Sequence, residues 1–244
     1  MLNILAYFLK KDIKSRYAGS GLGLLWVFLL PLFQIFLFWF VFAQIMKARP
    51  YAEMQIPYIY FLLSAFFFWL AFSESLMRSS YSILENSEMV KKVSFPNIVL
   101  PITATLSSYS HHIIGFFIFI VFYIFTFSAH PVFLVIIPVF VVQIIFSIGL
   151  SLILSSLMPY FRDLSHILGP IIQGLFFLSP IMYSVELIPE KFRFLIFLNP
   201  FTYFATSYQS ILLLKKFPPL SYFVIISLLS FLTLIIGTYI FKKL

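Results

Sequence analysis

Cysteine is absent, which removes disulfide scaffolds, cysteine–zinc sites, iron–sulfur clusters and thiol nucleophiles together. Charge is scarce. Asp, Glu, Lys and Arg make up 10% of the 244 residues, against about 25% in a soluble domain. Acidic residues are scarcer still, 8 against 16 basic ones, and no pair of carboxylates shares a face where acid–base catalysis could use it. No Gly-x-x-x-x-Gly-Lys-Ser/Thr run occurs, so the chain has no cradle for ATP. The histidines are His111, His112, His130 and His166. Neighbouring helical positions point about 100° apart, so His111 and His112 are expected not to converge on a metal ion. No metal site, catalytic group or cofactor is expected in this chain. Glycine is sparse at 8 residues and proline is dispersed, which excludes collagen-like and low-complexity chains.

What remains is apolar. Hydrophobic residues make up 62% of the chain, aromatics 21%, and the mean hydropathy is +1.05. A water-soluble monomer could not bury that much apolar surface, so the chain reads as an integral membrane protein. The net charge of +8 does not point to nucleic acid, because the basic residues lie between apolar runs.

A crossing helix needs about 20 apolar residues. Leu22–Met46 and Tyr58–Met77 supply the first two spans. Ser94–Phe161 contains no charge and is far too long for one helix. Ser128-Ala129-His130-Pro131 breaks it into spans at Pro101–Phe127 and Val132–Met158. Leu164–Val185 and Pro218–Phe241 follow. Phe194–Leu214 is apolar, but Asn199-Pro200 interrupts it. It reads as a broken, re-entrant pair of short helices on the outer side, between spans five and six. The fold class is therefore all-α, with six transmembrane helices. Six spans put both termini on one side, together with Lys91, Lys92, Arg162 and the larger share of the basic residues; this places them in the cytoplasm. No cleavable signal peptide is expected.

Leu2, Leu5, Leu9, Ile13 and Tyr17 recur at helical spacing, with Lys10, Lys11 and Lys14 largely opposite. This predicts an amphipathic helix in the inner interface plane, with Asp12 and Arg16 paired at i,i+4. Lys10, Lys11, Lys14 and Arg16 suit anionic lipid or a phosphorylated lipid head. Gly19 and Gly23 suit the turn into the bilayer or close helix packing.

Polar groups inside a span are costly and so informative. Glu74 and Arg78, at i,i+4, are expected to neutralise each other. Thr103 to His112 form a polar stretch, Tyr109 included, that must face protein or a wet cavity. On span one, Trp26, Phe33 and Phe40 recur every seven residues and share a face. That stripe is either ordinary packing surface or a sliding track for a sugar polymer, whose C–H faces stack on rings. The loop from Ile83 to Ile98 contains a segment able to form a short amphipathic helix ended by Pro96. It is either a plain connector or a knob for a cytoplasmic partner's groove.

Three blocks together carry a resemblance. Lys11-Asp12-Ile13-Lys14-Ser15-Arg16-Tyr17 is followed by Leu22-Gly23, Trp26 and Pro31-Leu32. Val90-Lys91-Lys92-Val93-Ser94-Phe95-Pro96 runs into Leu100-Pro101. Ser179-Pro180-Ile181-Met182-Tyr183 precedes Ile188-Pro189 and Leu198-Asn199-Pro200-Phe201. In order and spacing the chain resembles the membrane subunits of ABC-2 type transporters, most of all the branch that exports O-antigen, teichoic acid and capsular polysaccharide (the Wzm and TagG type).

The resemblance implies a single membrane domain over residues 1–244. Within it lie an interface helix over 1–19, a coupling-helix region over 83–98 and outer gate helices over 185–216. It implies a homodimer working with two cytoplasmic ATPase subunits, which bind ATP and magnesium. The dimer interface would form a channel for a lipid-diphosphate-linked polysaccharide in the bacterial inner membrane. Glu85, Asn86, Glu88, Met89, Val90, Lys92, Phe95 and Pro96 would meet the ATPase, with Arg162 and Asp163 from a second inner turn. Trp26, Phe33, Phe40 and Tyr109 would line the polymer path. Tyr183, Pro189, Asn199 and Pro200 would belong to the outer gate. The readings left open are a small-molecule or drug exporter of the same superfamily, a membrane-bound glycosyl or lipid transferase, and a secondary transporter.

Overall fold

A computed structural model describes residues 2–15, 25–48, 51, 56–161 and 163–244. Arg16, Tyr17, Gly19, Gly23 and Arg162, and the side chain of Lys14, lie outside the described residues. Those described form ten α-helices and no strand. They are α1 (Leu2–Ser15), α2 (Trp26–Phe38), α3 (Tyr58–Glu85), α4 (Ser87–Lys92) and α5 (Val99–Phe127), then α6 (Ile136–Leu157), α7 (Leu164–Leu178), α8 (Glu190–Leu198), α9 (Pro200–Leu212) and α10 (Leu220–Lys243).

Five helical stretches are long and apolar enough to cross a membrane: Phe28–Ile45, Tyr58–Glu85, Val99–Phe127, Pro131–Leu157 and Leu220–Lys243. The fifth expected span differs. Its helix α7 has 15 residues and stops at Leu178 rather than Val185. The cause is Ser179-Pro180: the proline ring disfavours helical backbone at the residue before it, and Ser179 is extended at φ −93°, ψ 139°. The first span also differs in kind, since α2 widens into a π-helical stretch over Trp39–Ile45. The second runs on to Glu85, so Glu74 and Arg78 sit inside a 28-residue helix.

Successive helices alternate in direction. At one end, Arg78 of α3 reaches Asp12 of α1, and Tyr160, just past α6, donates to the carbonyl of the terminal Leu244 at 3.0 Å. We call this the basal end. At the distal end, Tyr60 of α3 meets Phe127 of α5 edge to face, and Lys215, just past α9, donates to the Phe127 carbonyl at 2.8 Å. Ser128 ends α5 in the left-handed region at φ 64°, as the break before Pro131 predicts.

Helix α3 is the hub. Phe61, Leu62, Ala65, Phe66, Phe68, Trp69 and Phe72 are buried along it against α5, α6, α7 and α9. Phe68 stacks on Tyr208 of α9 with centroids 3.6 Å apart, and Trp69 meets Phe201 edge to face. Helix α2 is the opposite case. Leu29, Leu30, Leu32, Phe33, Phe36 and Leu37 are exposed, and among its described side chains Ile35 is buried.

Helices α6 and α10 cross through glycines. A Cβ on Gly149 would lie 2.5 Å from the Thr233 backbone, and one on Gly237 would collide with the Gly149 carbonyl. Small residues let helix backbones approach this closely in a membrane. We therefore expect Gly149→Ala and Gly237→Ala each to destabilise the detergent-purified protein by about 1–3 kcal/mol through overpacking. The double variant should cost less than the sum, because both methyls relieve against one crossing. Thermal melts of the three variants check this; additive losses would mean two separate packing sites.

Candidate functional site

The basal end gathers most of the residues singled out in the sequence. Helix α1 packs on α5 through Ile4, Leu5, Phe8, Leu9 and Asp12, which are half-buried, while Tyr7, Lys10, Lys11 and Ile13 are exposed. The packed face is thus rotated from the Leu5–Leu9–Ile13 stripe. Asp12 is the reason: its carboxylate takes both guanidinium nitrogens of Arg78, at 2.8 and 3.0 Å. The expected Glu74–Arg78 pairing is corrected accordingly. Arg78 turns to α1, and Glu74 engages α5, accepting from Ser108 Oγ at 3.2 Å and meeting His112 Nε2 at 2.7 Å.

Beside the Asp12–Arg78 pair, α4 forms as a two-turn element. Pro96 follows it, and Glu88 and Lys92 pair across one turn at 2.7 Å. Glu85, Glu88, Lys92, Val93 and Pro96 are exposed. Met89 and Val90 are half-buried, and Asn86 donates to the Ser82 carbonyl at 2.8 Å, fastening α4 to α3. Phe95 stacks on Phe8 of α1 at 5.6 Å. So α4 is clamped to α3 on one side and α1 on the other. Asp163 is exposed at the head of α7.

Above this layer a cavity of about 750 Å³ opens between α2, α3, α5 and α7. Its polar lining comprises Gln34, Ser73, Glu74, Arg78, His111, His112 and Gln173, and Trp26 lines it as well. Phe33 and Phe40 are exposed on the same helix as Trp26, and Phe40 stacks on Phe36 at 6.0 Å. Tyr109 is not with them. It is buried between α5 and α6, where its hydroxyl meets Ser147 Oγ at 2.7 Å and accepts from Gln143 at 3.0 Å. Most of the polar stretch of α5 faces protein: Thr103, Thr105, Ser107, Ser108, Tyr109 and His112 are buried, while Ser110 is exposed and donates to the Leu106 carbonyl of its own helix at 2.8 Å. The expectation that His111 and His112 diverge is also corrected. Their rings lie 4.7 Å apart, and both turn toward the cavity beside Glu74.

The distal residues form a second polar knot. Asn199 caps α9 by accepting from the Phe201 amide at 3.0 Å, while its side-chain amide donates to the Leu175 carbonyl and to Ser179 Oγ. Pro200 occupies the first turn of α9, where its missing N–H costs nothing. Tyr183 donates to the Phe177 carbonyl at 2.6 Å, and Pro189 precedes α8. Burial of the Tyr51 hydroxyl, together with the Glu186 carboxylate, pushes its pKa up to about 12.

Three residues of these networks had no place in the sequence reading. Gln143 donates to the Phe68 carbonyl, Gln209 to the Pro180 carbonyl and Tyr58 to the Met182 carbonyl. A lone amide in the apolar run Ile136–Leu157 was the available signal for Gln143.

The sequence signature of the ABC-2 type transporter family matches residues 5–213. Two proteins of Klebsiella pneumoniae, each named an O-antigen export system permease protein, RfbA, are 32% and 31% identical over all of this chain and 93% of their own length. A protein of the same name from Myxococcus xanthus is 28% identical over 88% of this chain and 82% of its own.

The bidentate contact between α1 and α3 is partly shielded from solvent, at 24% and 31% side-chain exposure. We expect Asp12→Asn to lower stability by about 1.5–3 kcal/mol, the range for hydrogen bonds to charged groups. The exchange of both residues, Asp12→Arg with Arg78→Asp, should recover part of that loss. Melting of the purified variants measures it; no recovery in the exchanged pair would show that geometry, not charge, holds α1 in place.

Proposed function

Because the chain belongs to the ABC-2 type transporter family, we propose that it is the permease of an ATP-driven exporter that carries lipid-linked polysaccharide across the bacterial inner membrane. The observation that carries this is the full-length similarity to O-antigen export permeases in two organisms. The chain is a transport component and not an enzyme. It is a multi-pass inner-membrane protein, and it pairs with an ATPase subunit that binds ATP and magnesium.

The finer reading is a homodimer with two such ATPases and both termini in the cytoplasm. In that reading the exposed apolar faces of α2 and α7, with Leu30, Phe33, Leu37, Ile167, Ile171 and Phe177, meet across the protomer contact. The basal end would then be cytoplasmic, with Lys10 and Lys11 toward lipid heads and α4 toward the ATPase. When ATP draws the two ATPases together, α4 carries the motion into α3 and α1. The α2–α7 wall shifts in turn and opens a path between protomers. Trp26, Phe33 and Phe40 face that path and offer rings on which a sugar chain slides without being gripped. Helices α8 and α9, with Tyr183, Pro189, Asn199 and Pro200, form its outer gate.

Complementation tests this directly. A strain lacking its own O-antigen permease should regain surface polysaccharide when given this chain and its ATPase. Val90→Asp or Phe95→Asp should abolish that rescue and release the ATPase on co-purification, since losing a central anchor costs about 2 kcal/mol or more. Full export by both variants would remove α4 from the coupling role.

The aromatic track has its own test. Trp26→Leu, Phe33→Leu and Phe40→Leu keep an apolar side chain and helix propensity but remove the ring. Surface polysaccharide should fall severalfold in at least the Trp26 variant at unchanged levels of complex. Normal export in all three would assign the stripe to packing alone.

A further inference from the structure

Transport as described leaves Glu74, His111 and His112 without a role. Glu74 projects from the middle of α3, and the two histidines from adjacent positions on α5. One ligand atom from each lies within 4.8 Å of the other two. Glu74 Oε2 is 2.7 Å from His112 Nε2, and Ser108 Oγ steadies the other carboxylate oxygen at 3.2 Å. His112 is buried at 7% exposure, while all three residues line the 750 Å³ cavity.

A carboxylate within a membrane span is expensive unless a positive charge answers it. A divalent ion held between the three groups would supply such a charge. Two imidazole nitrogens and one carboxylate oxygen are the donor set that suits zinc-class ions. In a tetrahedral site with bonds of about 2.0–2.2 Å, ligand atoms stand about 3.3 Å apart. The Glu74–His112 contact would open by about half an ångström to accept such an ion, and His111 would close in by rotation of its side chain. Ser108 already orients the carboxylate, as the outer partner of a ligating group does.

We propose that Glu74, His111 and His112 form a binding site for a divalent transition-metal ion of the zinc class, bridging α3 and α5 with its fourth coordination position open to the cavity. The ion leaves one net positive charge at the cavity wall and pins two helices that already meet there through Ser108 and His112 on Glu74.

The probe is cobalt(II), whose visible d–d bands report tetrahedral nitrogen–oxygen coordination. The full-length chain is purified in detergent, freed of any histidine tag, stripped with chelator and titrated with cobalt, and zinc is then added. We expect one cobalt per chain, displaced by zinc, and a zinc-dependent rise in melting temperature. His111→Ala keeps the Glu74–His112 contact and so the fold; it should weaken cobalt binding tenfold or more and abolish the zinc-dependent rise. His112→Ala and Glu74→Gln should do the same. His130→Ala and His166→Ala, at the other two histidines, should change neither. Absence of tetrahedral bands in the unaltered chain would overturn the proposal, as would bands that survive in His111→Ala and His112→Ala.

Discussion

A backbone that leaves its helix inside a bilayer must find every lost hydrogen bond within the protein, because no water is there to supply it. The stretch from Ser179 to Ser184, largely buried in the protein, is under the same demand, and much of the distal half is arranged around it. Its residues from Ser179 to Met182 are buried, yet four carbonyls where α7 stops are met by side chains, and those of Phe176 and Ser179 by backbone amides. Asn199 and Ser179 cover Leu175, Tyr183 covers Phe177, Gln209 covers Pro180, and Tyr58 covers Met182. These donors come from α3, α9 and the stretch itself. That requirement helps explain why α9, in the middle of an apolar segment, carries Asn199 and Gln209. It also gives a reason for Tyr58 at the first turn of α3.

The basal half obeys a different rule. There the constraint is charge, and around α3 it is met by pairing across helices rather than along them. Asp12 with Arg78 ties α1 to α3, and Glu74 with His112 ties α3 to α5. Because each pair spans two elements, α3 cannot shift along its axis without dragging α1 or α5. Helix α1 is therefore part of the bundle.

The spans were legible because a membrane helix announces itself by run length, and interruptions by proline or charge are local events. Ser128 to Pro131 and Asn199-Pro200 fell where the structure breaks. The short α4 was legible for the same reason, with Pro96 as its stop. What could not be read were partnerships across helices. Spacing of four offered Glu74 to Arg78, whereas the fold offers each a partner dozens of residues away. Adjacent histidines diverge as seen from the helix axis, yet their side chains reach the same cavity wall. Tyr109 looked like a polar residue awaiting a path and proved to be the centre of a buried network with Gln143 and Ser147. The π-helical turn of Trp39–Ile45 has no local sequence signal that we recognise.

Helix α3 runs unbroken for 28 residues, a rod of about 42 Å at 1.5 Å per residue. One of its ends is clamped to α4 and α1, and the other stacks at Tyr58 and Tyr60 on the distal helices. Such a rod behaves as a lever. A tilt of about 5° about its midpoint moves each end by about 2 Å, with no hydrogen bond in the rod itself broken. The two tips travel in opposite directions, so inward movement at the base becomes outward movement at the far rim.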